Sequence, residues 1–472
     1  MVPAPHSKVA PLVAVILAFA MPVRAGDFQP LPNFANHEIP DTQHPPSSAE
    51  RTKYLSQAAE AADVEFTPPS AKTLDLLDAA ALTVGLALAS YFALVRRSRR
   101  GLFWLAIASL AWLGFWRKGC VCPIGAIQNV ALALFDPSYV IPLAVVSFFV
   151  LPLVFTLFFG RTFCAAVCPL GAVQELVAVR PQKVPTWLDQ TLGLLAYVYL
   201  GLAVALAATG SAFVVCRYDP FVGLFRMSAG LDMLVLSAGF LVAGIFVGRP
   251  YCRYLCPYGA LLGLLSRVAR WHVRIPPKDC IQCRLCEDSC PYGAIQTPTV
   301  VPPTAQRHKA RWWLSAAILL LPVLVGLGAW LGGGMGGPLA RLHPTVQLAE
   351  RMWMEENEEV EGTTDATDNF RNTGQKTEDL YATAGALTRK SGVAGVGFGA
   401  WVGLVIGVKL IHLSVRRRRT EYRPDRANCV ACGRCFWYCP NEQARRNELL
   451  SITTNENQQP TKEQEKERYA EA

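Results

Sequence analysis

The sequence predicts an α-helical polytopic membrane protein with a cysteine-rich module split between two distant stretches of chain. Three observations carry that prediction. Of the 472 residues, 52% are hydrophobic and only 17% charged, where soluble domains carry about 25% charge. Seven apolar segments recur, near 76–95, 102–116, 139–159, 188–209, 229–247, 312–333 and 393–415, each close to the roughly 20 residues that cross a ~30 Å hydrocarbon layer as a helix. Finally, the run C-x2-C-x2-C-x3-C-P occurs twice, at Cys280, Cys283, Cys286, Cys290 and Pro291 and at Cys429, Cys432, Cys435, Cys439 and Pro440. The last two apolar segments lie between these runs.

In chain order, residues 1–25 read as a signal peptide or an uncleaved anchor, with His6 and Lys8 at a basic start, an apolar run from Val9 to Ala20, and Val23 and Ala25 placed for cleavage. Residues 26–72, rich in Pro, Ser and Ala, read as an extended periplasmic segment. A transmembrane repeat domain is expected over 73–272, followed by the first cysteine run (273–311) and a span (312–333). An outer loop (334–392) has an acidic middle at Glu355, Glu356, Glu358, Glu359, Glu361, Asp365 and Asp368. Leu348, Met352 and Val360 give that loop only partial helical patterning, so it is either a solvated connector or a docking surface for an outer partner. The final span (393–415), the second cysteine run (416–446) and a polar, disordered tail (447–472) complete the chain.

Charge sets the orientation. Arg96, Arg97, Arg99 and Arg100, the dense set from Arg249 to Arg311, and Arg416 to Arg419 fall on one side if every span crosses once, and that side is cytoplasmic. Arg117 and Lys118 are exceptions on the outside. The net charge of +9 is thereby explained without nucleic acid. Both cysteine runs fall on the cytoplasmic side of a multi-pass protein.

Of the 15 cysteines, all but Cys120, Cys122 and Cys216 lie in C-x2-C or C-x3-C-P runs, spacings typical of metal or cluster binding rather than of disulfides. No C-x-x-C-H occurs, and His272, His308 and His412 do not face one another inside apolar spans, so neither c-type nor membrane b-type haem is indicated. In the C-x2-C-x2-C-x3-C-P run a short loop wraps thiolates around a [4Fe-4S] cube. Zinc sites normally pair two C-x2-C units across a longer gap. The runs therefore predict a bacterial-type ferredoxin with two [4Fe-4S] clusters. In such ferredoxins the fourth cysteine serves the other cluster, so Cys280, Cys283 and Cys286 are expected to join Cys439, and Cys429, Cys432 and Cys435 to join Cys290.

Four further segments align as a repeat: RKGCVCPIGAIQNV, RTFCAAVCPLGAVQEL, VVCRYDPFVGLFRM and RPYCRYLCPYGALLGL. The first two flank the third span and the last two the fifth, giving parallel halves. At the cytoplasmic face each half supplies a C-x3-C-P pair, Cys164 with Cys168 and Cys252 with Cys256, and four converging thiolates can hold an iron–sulfur cluster. Single buried cysteines also occur as small core residues. At the outer face stand Cys120, Cys122 and Cys216, with Asp219 in the place before Pro220. This group can hold a cluster or another metal, or form an outer disulfide.

RTFCAAVCPLGAVQEL, RPYCRYLCPYGALLGL and the two ferredoxin runs together resemble the NosR/NapH group of membrane-bound polyferredoxins, over roughly residues 100–445. The likeness is closest to the membrane and iron–sulfur part of NosR. It implies a bacterial inner-membrane location, two [4Fe-4S] clusters and electron delivery to a periplasmic respiratory reductase system of denitrification, of the nitrous-oxide-reductase type. NosR-type proteins carry a large outer flavin-binding domain ahead of the membrane part, where this chain has about 45 residues. A separate flavoprotein or cytochrome is then the expected acceptor, and a cytoplasmic or quinol donor the source.

No acid, base or nucleophile constellation is visible, so substrate chemistry is expected to belong to a partner. The expected function is a relay of electrons across the membrane. The alternative is an accessory role in assembly or reductive maturation of a metalloenzyme, as in CcoG-type proteins, which share the C-x3-C-P and ferredoxin motifs but carry an outer β-sandwich domain not seen in this sequence.

Overall fold

The computed structural model describes residues 72–447 apart from short breaks at 118, 120–121, 138, 180, 227–230, 276–279, 300–303, 416–418, 420 and 446. The expected signal or anchor, residues 26–71 of the outer segment, the tail from 448 and Cys120 lie outside the described residues.

The described chain is almost entirely helical. Four helices are long and apolar enough to cross a membrane: Asp75–Val95, Thr186–Ala208, Arg311–Gly334 and Thr377–Ser414. The other three expected spans fall on shorter helices. Leu143–Phe159 and Leu231–Phe246 have 17 and 16 residues, and Arg99–Ser109 runs on through a wider π-helical stretch, Leu110–Trp116. Arg117, an exception to the charge rule, lies 2.6 Å from the buried carboxylate of Asp78.

Short helices begin at Pro123, Pro169, Pro220 and Pro257, directly after Cys122, Cys168, Asp219 and Cys256. The cause is local. Proline at the first helical position gives up an N–H that would have no partner there and brings φ already set. At two of the four the preceding side chain also caps: Cys256 Sγ accepts from Gly259 N at 3.2 Å, and Asp219 Oδ1 from Phe221 N at 2.9 Å. These helix starts bury their cysteines in the main core, where Cys168 and Cys256 pack among Leu82, Leu102, Ile124, Phe163, Phe221, Tyr251 and Tyr258.

The helices Thr304–Gly334 and Thr377–Ser414 pack backbone to backbone. A Cβ at Gly399 would collide with the Gly328 carbonyl, and one at Gly332 with that of Gly395. Small residues permit this approach between apolar helices. Gly399→Val is therefore expected to cost about 3 kcal/mol by overpacking, read as a lower melting temperature in detergent. Gly397→Ala, whose Cβ meets nothing within 4 Å, should leave it unchanged or slightly raised.

The segment between these helices, expected as an outer loop, is folded. Helices Gly336–Ala340, Pro344–Glu356 and Asp365–Asn372 enclose a small core of Ala340, Val346, Ala349 and Met352 with Leu380, Tyr381 and Ala384. The latter three extend the last helix back to Thr377, well before the apolar stretch that begins near 393.

The two ferredoxin runs meet through a two-stranded antiparallel ladder, Ile295 opposite Pro424 and Gln296 opposite Arg423. Thr299 and Arg419 extend that junction, Thr299 N donating to the Arg419 carbonyl at 2.9 Å.

Candidate metal centres

Both ferredoxin loops turn the same way. Gln282 and Ala431, each just before the second cysteine, have φ of 56° and 54°, and Arg284 and Gly433, just after it, have 64° and 76°. Left-handed backbone costs roughly 1–2 kcal/mol at a non-glycine residue. Its recurrence at matched positions marks a loop shaped around an occupant rather than for its own stability.

The loops line two cavities. One is bordered by Cys280, Cys283, Cys286 and Cys439 with Ile281 and Tyr422, the other by Cys429, Cys432, Cys435 and Cys290 with Val273, Tyr292 and Ile295. Each takes three cysteines from one run and the fourth from the other. Among the described residues, no three His, Cys, Asp or Glu side chains gather tightly enough for a single ion. Burial pushes the Cys429 thiol up to about 12 and the Cys286 thiol up to about 11. Both therefore keep their protons at neutral pH unless iron takes their place.

A third group lies beside the second cavity. Cys168 and Cys256 are buried, and Cys164 and Cys252 pack against the same apolar core. Gln174 Nε2 donates to Cys252 Sγ at 3.2 Å while its Oε1 accepts from Tyr251 N at 3.1 Å, so one amide ties the two C-x3-C-P stretches together. Cys164 also packs with Cys290 and Cys429 against Val430 and Cys432. Of the four, Cys164 thus packs directly against residues that line the second ferredoxin cavity.

Of the outer group, Cys122, Cys216 and Asp219 come together: Asp219 and Cys216 both act electrostatically on Cys122, and a Cβ at Gly125 would lie 3.0 Å from Cys216 Sγ. Asp219 Oδ2 is buried without a hydrogen-bond partner, an orphaned acceptor of the kind a metal satisfies. Cys122 packs against the same apolar core that holds Cys168 and Cys256, so the two groups, expected at opposite faces, share one core.

Sequence reasoning missed Glu175. Its Oε1 accepts from Arg99 at 2.6 Å and Arg434 at 2.8 Å, and its Oε2 from Arg249 Nε at 3.1 Å and the Tyr292 hydroxyl at 2.6 Å. Burial alone would raise this carboxyl, but Arg249, Arg434 and Arg99 hold it well below the usual carboxylate range. The available signal was an acid within the apolar stretch after Cys168, where a charge must be paired.

The 4Fe-4S binding domain family is matched at residues 141–186 and 229–276, which hold the two C-x3-C-P pairs, and a second 4Fe-4S binding domain family at 273–296. Protein NirI of Paracoccus denitrificans is 31% identical over 223 residues, 42% of this chain and 31% of its own length. Regulatory protein NosR of Stutzerimonas stutzeri is 29% identical over 152 residues, 29% of this chain and 21% of its own. The uncharacterized protein MJ0750 of Methanocaldococcus jannaschii is 30% identical over 186 residues, 38% of this chain and 75% of its own. The chain therefore spans about a third of NirI and a fifth of NosR. No solved structure matches.

Proposed function

The chain belongs to the NosR/NapH-type family of membrane 4Fe-4S ferredoxins, and from that premise we propose that it relays electrons across a bacterial inner membrane through a series of cysteine-held centres. The first two are [4Fe-4S] clusters, one on Cys280, Cys283, Cys286 and Cys439 and one on Cys429, Cys432, Cys435 and Cys290. A third centre sits on Cys164, Cys168, Cys252 and Cys256, and an outer one on Cys122 and Cys216 with Cys120. Iron and sulfide supply the one-electron chemistry when bound. The chain's own residues fix spacing, exclude water and set potentials through hydrogen bonds and burial.

The observation that carries this reading is continuity. Cys280, Cys286, Cys290 and Cys435 share one apolar cluster, and Cys290, Cys429 and Cys164 share the next. Electron tunnelling falls steeply with distance, so adjacent centres transfer quickly where a single one cannot serve both faces of a ~30 Å layer. The seven-span, parallel-repeat topology with cytoplasmic clusters fits the same scheme. Arg97 and Arg99, which follow the first span, bond Glu442 and the Cys432 carbonyl, keeping the ferredoxin on the basic side. The partners are a cytoplasmic or quinol donor and a periplasmic reductase system reached through a flavoprotein or cytochrome.

The test is Cys252→Ser in sealed vesicles given a donor on the ferredoxin side and an impermeant acceptor on the other. Reduction of the acceptor is expected to fall to background while the ferredoxin EPR signals remain. Undiminished transfer excludes the relay.

A further inference from the structure

Among the described residues, Arg161 is a buried guanidinium with no acid to answer it. It follows the Leu143–Phe159 helix and is 9% exposed. Nη1 donates to the Ala427 carbonyl at 2.8 Å, and Nη2 lies 3.9 Å from Cys164 Sγ. A Cβ on Gly259, whose N–H caps onto Cys256, would lie 3.3 Å from the same Nη2. Cys164 and Cys256 flank the guanidinium, with the Tyr197 hydroxyl on its other side. Its Nε is buried without a partner, and among the described residues no carboxylate pairs with it. Arg249, at the matching place in the other C-x3-C-P stretch, is answered by Glu175 at 3.1 Å.

A buried charge without a counter-charge costs several kcal/mol. Neutral thiols do not provide one. Four thiolates around an iron–sulfide core do, because their negative charge outweighs the positive charge of the core and leaves the whole centre an anion.

We propose that Arg161 is the counter-charge of an anionic metal–thiolate centre held by Cys164, Cys168, Cys252 and Cys256, and that it tunes the potential of that centre. The inference rests on the relay reading of these four cysteines. The sign follows from electrostatics: reduction adds negative charge beside a fixed positive one, so Arg161 favours the reduced form and raises the potential. Arg161 also joins the centre to the ferredoxin. The path runs from Cys164 Sγ through the guanidinium to the Ala427 carbonyl, two residues before Cys429.

The experiment is an EPR-monitored redox titration, with iron and sulfide assays, of the full-length protein, Arg161→Gln and Arg161→Lys. Arg161→Gln is expected to move the midpoint of the membrane centre to lower potential, or to lose that centre's iron. Arg161→Lys keeps the charge and should hold both near the parent values, with the ferredoxin signals present throughout. An unshifted midpoint in Arg161→Gln overturns the proposal, as does equal loss of the centre in both variants, which would make shape rather than charge the requirement. If the parent protein shows the ferredoxin signals and no further centre, the membrane-centre step of the relay fails and the proposal with it, a result told apart from the first two by the parent spectrum alone.

Discussion

Replacing Cys439 by serine is expected to cost the protein the cluster of Cys280, Cys283 and Cys286, and to spare the cluster of its own run. Cys439 borders the cavity formed by that earlier run, and Cys290 borders the cavity formed by Cys429, Cys432 and Cys435. The crossing is a consequence of the fold. The ladder of Ile295–Gln296 with Arg423–Pro424 lays the two loops side by side in opposite directions, which carries the end of each run toward the start of the other. Cys290→Ser should remove the complementary cluster. In each variant one of two sets of EPR signals is expected to vanish, and iron and sulfide should fall by about four each, the content of one cube. Loss from the mutated residue's own run in both variants would sink the crossed arrangement.

The ferredoxin runs were legible because the spacing of their cysteines is local. A loop of a few residues fixes where its thiolates point, and no distant contact is needed to read it. Four of the expected spans coincide with the long apolar helices for a similar reason, since hydropathy is a property of each segment alone. Glu175 was not legible. Its partners Arg99, Arg249, Tyr292 and Arg434 come from four separate stretches, and the sequence records only an acid in an apolar setting. The small folded segment between the last two long helices was also hidden. Three of its seven buried core residues are Ala340, Ala349 and Ala384, and alanines that pack by close approach leave a weak hydrophobic period. Arg161 stood in view beside a cysteine motif, yet its lack of an acidic partner exists only in three dimensions.

Glu175→Ala is expected to separate the ferredoxin from the membrane cysteines. The carboxylate joins the start of the Arg99–Ser109 helix, the two C-x3-C-P stretches and both ferredoxin runs at one buried point, and its removal leaves Arg99, Arg249 and Arg434 facing one another. Breaking a buried pair in this way costs about 3–5 kcal/mol, and three cations around one vacancy place the effect at the upper end. The variant should melt well below the parent and yield the second ferredoxin run to limited proteolysis at temperatures where the parent resists. The pH dependence has a definite sign. Because the folded state holds this carboxyl well below its ordinary value of 4.5, its contribution is fully present above that pH and declines as pH falls toward the lower native value. The gap in melting temperature between parent and Glu175→Ala should therefore be constant from neutral pH down to the ordinary carboxylate range and shrink below it. Glu175→Asp, which keeps the charge on a shorter stem, should recover part of the gap. A variant that melts with the parent, or a gap that widens on acidification, would show that the ferredoxin is held to the membrane cysteines by contacts other than this carboxylate.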